Sequence, residues 1–194
     1  MSKAERIELA KAKMERVLDH FLYVVELHAN NSFVVYSGTL ASQIQQSFAA
    51  NAFAVFQRSM HQIEIVRLCA IWDSADPDKE NIPTVVELID DDDMVDALAD
   101  ENRGHWGEIE GNIFIDHSDD PEIAEVVRQA VRRSNREVGD ERAAKAKSEL
   151  KEAIADARAI RKSTRLASVM NIRDKHLAHS LTTTGERNVD RFSR

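Results

Sequence analysis

Three prolines and six glycines punctuate the 194 residues, and this scarcity constrains the fold more than any other feature. Proline removes a backbone donor and glycine carries the largest backbone entropy cost, so these residues mark where helices and strands stop. A chain with few such stops, and with apolar residues recurring every three and four positions, folds as a set of long helices. The expected class is all-α, an antiparallel helical bundle in one domain over residues 1–194.

The periodicity places the helices. Residues 3–29 carry Ile7, Ala10, Met14, Val17, Leu18, Phe21, Val24, Val25 and His28 at helical spacing, and Asn30-Asn31-Ser32 is expected to end that run. A second long helix is predicted from Leu40 to Trp72. Its half from Ile63 to Trp72 is apolar nearly all round, which predicts a central, buried position. Asp73-Ser74-Ala75-Asp76-Pro77-Asp78 reads as a stop. A short helix is predicted over Pro83–Ile89, with proline in its first turn, and another over Met94–Ala99. Gly104 to His117 reads as a loop. Pro121 opens a third long helix, with Asp119 or Asp120 as its N-cap. Ala143 to about Leu181 predicts one or two more, and residues 185–194 read as a frayed tail.

Several function classes are excluded. A chain this long buries roughly 70% of its unfolded surface, so it needs neither disulfide nor structural metal. The single cysteine, Cys69, sits in an apolar context and reads as a core thiol. No segment has the length of a membrane span, and Met1–Arg16 has no apolar core of the secretory kind. A soluble, cytoplasmic setting is expected. No glycine-rich phosphate loop occurs. Asp90–Asp93 and Asp96 form an acidic run, but only Asp92 and Asp96 share a helical face and no second run complements them, so neither a metal nor a cofactor is expected. His20, His28 and His61 read as partly buried packing residues within long helices.

The formal net charge of −8 argues against nucleic acid only until it is divided along the chain. Residues 1–73 are neutral, residues 74–125 carry 2 basic and 18 acidic side chains, and residues 126–194 carry 17 basic and 9 acidic. The acidity therefore belongs to a middle segment, taken as a decorating insertion over 74–120, and the C-terminal third is basic.

That basic third holds Asn171-Ile172-Arg173-Asp174-Lys175-His176-Leu177-Ala178-His179-Ser180. On an α-helix, Arg173, His176 and His179 fall at successive i,i+3 steps, which lines a guanidinium and two imidazoles along one slanted row. Arginine offers a fixed fork of donors that suits phosphate, and histidine moves protons near neutral pH. These groups are sufficient for metal-free RNA cleavage by 2′-hydroxyl attack on the adjacent phosphate. Spacing alone is not diagnostic. With 17 Arg and 7 His in 194 residues, an Arg followed by His five to seven positions later is expected about 1.8 times by chance.

The longer string adds what the spacing lacks. Arg173-Asp174-Lys175-His176-Leu177-Ala178-His179-Ser180, near the end of a helical chain, resembles the signature of the HEPN superfamily: Arg, a polar follower, then His after a gap of four to six residues. Ile71-Trp72-Asp73, a short loop, then Ile82-Pro83-Thr84-Val85-Val86-Glu87-Leu88 is similar to the abortive-infection AbiU-type branch. The resemblance implies a four-helix core with extra short helices. It also implies a homodimer whose two Arg/His motifs meet at a shared cleft, and a metal-independent ribonuclease used as a toxin or in phage defence. By position, Arg173 would contact the scissile phosphate, His179 would transfer a proton and Asp174 would orient Arg173. His176 falls at a variable position. Lys175, Arg161, Lys162 and Arg165 are the candidate RNA contacts, within basic helices running from Arg128 to Arg165. Expected partners are RNA, a second copy and an antitoxin protein, with no membrane. Leu181 stands where some family members carry a tyrosine, so silencing through that tyrosine is not expected. The alternative reading is a non-catalytic helical interaction module that kept the fold and lost the reaction.

Overall fold

The computed structural model describes residues 1–107 and 121–178, with side chains over 1–104 and 122–175. The described elements are all helical: α1 (Lys3–Val34), α2 (Gly38–Gln43), α3 (Phe48–Ile71), α4 (Ile82–Ile89), α5 (Asp92–Gly107), α6 (Pro121–Arg161), α7 (Thr164–Ile172) and a π-helix (Arg173–Ala178). The expected N-cap at Asp119 or Asp120 and the tail over 185–194 lie outside the described residues.

Side-chain caps set most of the starts. Ser2 and Glu5 form a reciprocal capping box at α1, with Ser2 Oγ accepting from the Glu5 N–H at 3.2 Å and Glu5 accepting from the Ser2 N–H at 2.7 Å. Ser47 caps α3 through the Ala50 N–H, Asn81 caps α4 through the Thr84 N–H, and Ser163 caps α7 through the Leu166 N–H. The single helix expected from Leu40 to Trp72 is therefore two, because Ser47 begins a new helix and Ile44 is extended. The short helix expected at Met94–Ala99 grows to Asp92–Gly107, while α6 runs unbroken through Gly139 and absorbs the segment from Ala143 to Arg161.

Asn30-Asn31-Ser32 does not stop α1. Asn30 donates to the Glu26 carbonyl and Ser32 to the Ala29 carbonyl, so both bond back onto their own helix. Asn31 is fully buried and points at α3 instead, where its Nδ2 donates to Glu64 Oε2 at 2.6 Å and to the Met60 carbonyl at 3.3 Å. Glu64 also receives the Tyr36 hydroxyl at 2.8 Å and His28 Nδ1 at 2.6 Å, and Tyr36 meets His61 Nδ1 at 3.0 Å. This polar clasp ties the end of α1 to α3. It overturns the packing role expected of His28, whose side chain is largely exposed. Burial raises the Glu64 carboxyl, but the three donors outweigh burial and hold it below its ordinary range.

The core joins Ala10, Val17 and Val24 of α1 to Ile71 of α3, Val85 and Ile89 of α4, Val95 of α5 and Ile154 of α6. Each fully buried aliphatic side chain contributes about 1.5–3 kcal/mol relative to exposure. Cys69 is buried as expected. The expectation that the C-terminal half of α3 is buried all round fails: Ile63 and Val66 are over two-fifths exposed. The helices described here cover the α3 flanks that meet α1 and the π-helix and leave the opposite flank open.

Among the described residues, seven acidic side chains of the middle segment pair with cations of α1 and α6. Asp92 pairs with Lys151, Asp96 with Lys147 and Asp90 with Arg158, all on α6, while Arg103 of α5 bridges to Asp140. From α1, Lys3 reaches Asp93, Arg6 reaches Asp91, Lys11 reaches Glu101 and Arg16 reaches Glu80. The shared face of Asp92 and Asp96 therefore holds two lysines. Among the described residues no cluster of His, Cys, Asp and Glu has the makings of a metal site, and no helix is long and apolar enough to cross a membrane.

Candidate functional site

Arg173 stands at the junction of α7 and the π-helix, beside the C-terminal end of α3. Its Nε donates to Asp174 Oδ1 at 2.7 Å. Its Nη1 lies 3.7 Å from Asp73 Oδ1, contributed by the residue just beyond α3. The hydrogen bond it donates to Asp174 leads in raising the guanidinium's already high pKa, so Arg173 keeps its charge. Two carboxylates fix where that charge stands, and the side chain remains about one-fifth exposed, open to an anion from solvent.

Asp73 is held in turn. Burial pushes its carboxyl up, and the Ser74 backbone N–H, the Lys79 ammonium and Arg173 together pull it below its ordinary value. Cys69 is buried within electrostatic reach of Arg173: burial raises its thiol, and the guanidinium opposes that rise. A buried, neutral thiol is a poor nucleophile, so Cys69 reads as a core residue.

The winding of the motif differs from expectation. Residues Arg173–Ala178 form a π-helix, with i→i+5 bonds in place of i→i+4. Three-residue steps share a face on an α-helix but not on this wider coil, so the backbone step from Arg173 to His176 is not the α-helical one that was expected. π-turns occur as short insertions in helices, often where function needs local backbone geometry. His179 lies outside the described residues, as does the side chain of His176.

The basic surface is narrower than the sequence implies. Lys147, Lys151 and Arg158 face the acidic helix α5 and its flanks, and Arg128 and Lys145 pair within α6 with Glu125 and Glu149. The helices from Arg128 to Arg165 therefore do not present an unbroken basic face. Arg161, Lys162 and Arg165 are exposed at the α6–α7 corner with no ion pair among the described residues. From Arg165 to Arg173 is eight residues, about 12 Å at α-helical rise. Lys175 is also exposed.

Asp73 and Lys79 are the site residues that motif reading missed. Two signals were present in the sequence: Asp73 closes the Ile71-Trp72-Asp73 string, and Lys79 is one of only two basic residues in 74–125.

A family model described as HEPN_AbiU2, AbiU2, matches residues 7–191. The chain belongs to this HEPN family. The match takes in the described helices from Ile7 onward, Arg173 and His179. No curated protein and no solved structure matches the chain. Membership in the HEPN AbiU2 family accords with the all-α bundle and with Arg173 at the start of the last described helix.

Proposed function

We propose that this HEPN protein is a metal-independent endoribonuclease of abortive infection, a phage-defence or toxin–antitoxin role, acting as a homodimer in the cytoplasm. The observation that carries the reading is Arg173, a permanently charged guanidinium fixed by Asp73 and Asp174 and followed by His179 at the family's spacing. In the proposed reaction His179 takes the proton of a ribose 2′-hydroxyl. The 2′ oxygen bonds to the adjacent phosphorus, and the bond from phosphorus to the 5′ oxygen breaks. A 2′,3′-cyclic phosphate and a 5′-hydroxyl result, the latter reprotonated by a second imidazole, for which His176 is the candidate. Arg173 neutralises the extra negative charge on the five-coordinate phosphorus. Asp174 keeps its fork aimed. The 2′-hydroxyl requirement selects RNA over DNA.

Arg161, Lys162, Arg165 and Lys175 lead the RNA toward Arg173, because they are exposed cations with no acidic partner among the described residues. A second copy is supported by α1, whose Met14, Leu18, Phe21, Leu22 and Val25 are each about half exposed along one stripe. Met14 also lines an apolar groove of about 530 Å³ between α1, α4, α5 and α6, with Trp72, Val86, Leu150 and Ile160. A monomer leaves such a continuous apolar stripe in water at a penalty, and an isologous partner removes it. An antitoxin protein that silences the enzyme belongs to the same reading.

The deciding experiment incubates the purified chain with single-stranded RNA in EDTA. Cleavage that leaves cyclic phosphate ends and is lost in His179→Ala and in Arg173→Ala is expected. Equal cleavage by the wild type and both variants sinks the assignment. A wild type that leaves RNA intact but retains one specific protein partner favours the non-catalytic interaction module.

A further inference from the structure

Lys79 and Arg103 are the only basic residues between 74 and 125. Arg103 ties α5 to α6 through Asp140. Lys79 does something different. Its ammonium donates to Asp73 Oδ2 at 3.1 Å and to Ser74 Oγ at 3.1 Å. The other oxygen of the same carboxylate, Asp73 Oδ1, faces Arg173 Nη1. One carboxylate thus links a loop lysine to the motif arginine.

The loop that carries Lys79, residues 72–81, is built for fixed geometry. The Lys79 N–H donates to the Asp76 carbonyl at 2.9 Å, and the Lys79 carbonyl accepts from Lys13 Nζ at 3.0 Å. Asn81 Nδ2 donates to the Ser74 carbonyl at 3.1 Å. The Thr84 hydroxyl accepts from the Asp76 N–H at 3.1 Å, and its single proton is shared between the Asp76 carbonyl and Asn81 Oδ1. Lys13, Asn81 and Thr84 are three of the four buried polar or charged side chains among the described residues. Burying such groups costs free energy unless each finds a partner. All three find theirs in this loop or at its end, so the backbone on both sides of Lys79 is held. A loop that merely connected α3 to α4 in solvent would need none of this.

We propose that Lys79 is a positioning residue for Arg173, acting through the Asp73 carboxylate that both contact. The role rests on the ribonuclease reading above. Asp73 is only partly buried, so its orientation depends on its bonding partners more than on packing. Lys79 holds one of its oxygens, which leaves the other facing Arg173. Without Lys79 the carboxylate turns away and Arg173 keeps only Asp174, its neighbour on the same short π-helix. Asp174 orients the fork, but it does not register the π-helix against α3. Lys79 supplies that register, and small errors in the placement of a charge-stabilising group are expensive in rate.

The test is a double-mutant cycle on cleavage of a single-stranded RNA of mixed sequence. In Lys79→Ala, kcat is expected to fall about tenfold, with KM within about twofold of wild type. Lys79→Arg restores most of the rate by returning a cation to Asp73. Asp73→Asn combined with Lys79→Ala is no slower than Asp73→Asn alone. A full kcat in Lys79→Ala, a multiplicative loss in the double variant, or no rescue by arginine overturns the proposal while leaving the ribonuclease reading intact. A wild type that cleaves no RNA overturns that reading instead. In that event the Arg173 Nε–Hε resonance, assigned by its loss in Arg173→Lys, decides the positioning. It is expected to move in Lys79→Ala and stay in place in Asp93→Asn, and an unmoved signal in Lys79→Ala overturns the role.

Discussion

Lys151 of α6 donates to Asp92, in the first turn of α5, at 2.7 Å. Pairs from Lys147 to Asp96 and from Arg158 to Asp90 flank it, so a rail of opposite charges runs between the two helices. These pairs are exposed, and exposed pairs are individually weak and screened by salt. Their effect is expected to lie in the sum. The triple variant Lys147→Glu, Lys151→Glu, Arg158→Glu should melt below the wild type at low salt, with the gap narrowing at high salt. Replacing Asp90, Asp92 and Asp96 by lysine in the same background should recover the melting temperature. A salt-independent gap would instead assign the loss to packing along Leu150 and Ile154.

Asn31 tests the polar clasp. Its buried Nδ2 serves Glu64 and the Met60 carbonyl, and its Oδ1 has no partner among the described residues. Asn31→Ala removes one of the donors that keep Glu64 ionised and is expected to destabilise the fold by about 1–3 kcal/mol, read from urea denaturation. Because Glu64 sits below its ordinary carboxyl range, its contribution should be full above the unfolded pKa. It should fall away only as acid protonates the folded carboxylate. The stability difference between wild type and Glu64→Gln should therefore hold from pH 7 to pH 5 and shrink at lower pH.

Tyr36 gives the clasp a spectroscopic reporter. Burial, and then the Glu64 carboxylate that accepts its hydroxyl proton, push its pKa up to about 12. A phenolate absorbance step at that pH should vanish in Tyr36→Phe. A raised folded value means the stabilisation is intact below the unfolded tyrosine range, about pH 10, and is lost as pH rises through about 12.

The α1 stripe predicts the oligomeric state. Leu18→Glu with Phe21→Glu places two charges on a half-exposed apolar face without touching the buried face at Val17 and Val24. Sedimentation should show a wild-type dimer and a folded monomeric variant with unchanged helical circular dichroism. A wild type that sediments as a monomer removes the dimer cleft from the proposed mechanism.

Much of this was legible in the residues. Helical spacing located α1, α3, α4 and α6, and the Pro83 and Pro121 starts were read correctly because proline's fixed backbone angle suits a first turn. The Arg173–Asp174 contact was expected only from the family resemblance, since adjacent residues do not face each other on a regular helix. The end of α1 was misread at Asn30-Asn31-Ser32, because turn propensity is weak against a buried hydrogen bond from Asn31 to a residue 33 positions away. The charge of the C-terminal third was counted correctly but overvalued, because half-helix pairings such as Asp92–Lys151 join residues 59 apart in sequence.

The sequence by itself determined an all-helical chain, the boundary between its acidic and basic regions, and the string Arg173 to His179. Those depend on residue identity, local spacing and short-range backbone preference. The tertiary structure alone decided which cations stay open to solvent, that the motif winds as a π-helix, and that Asp73 and Lys79 stand beside Arg173. Charge pairing and helix register depend on which elements pack together, and that is set by burying one shared core. No local pattern encodes such a global requirement.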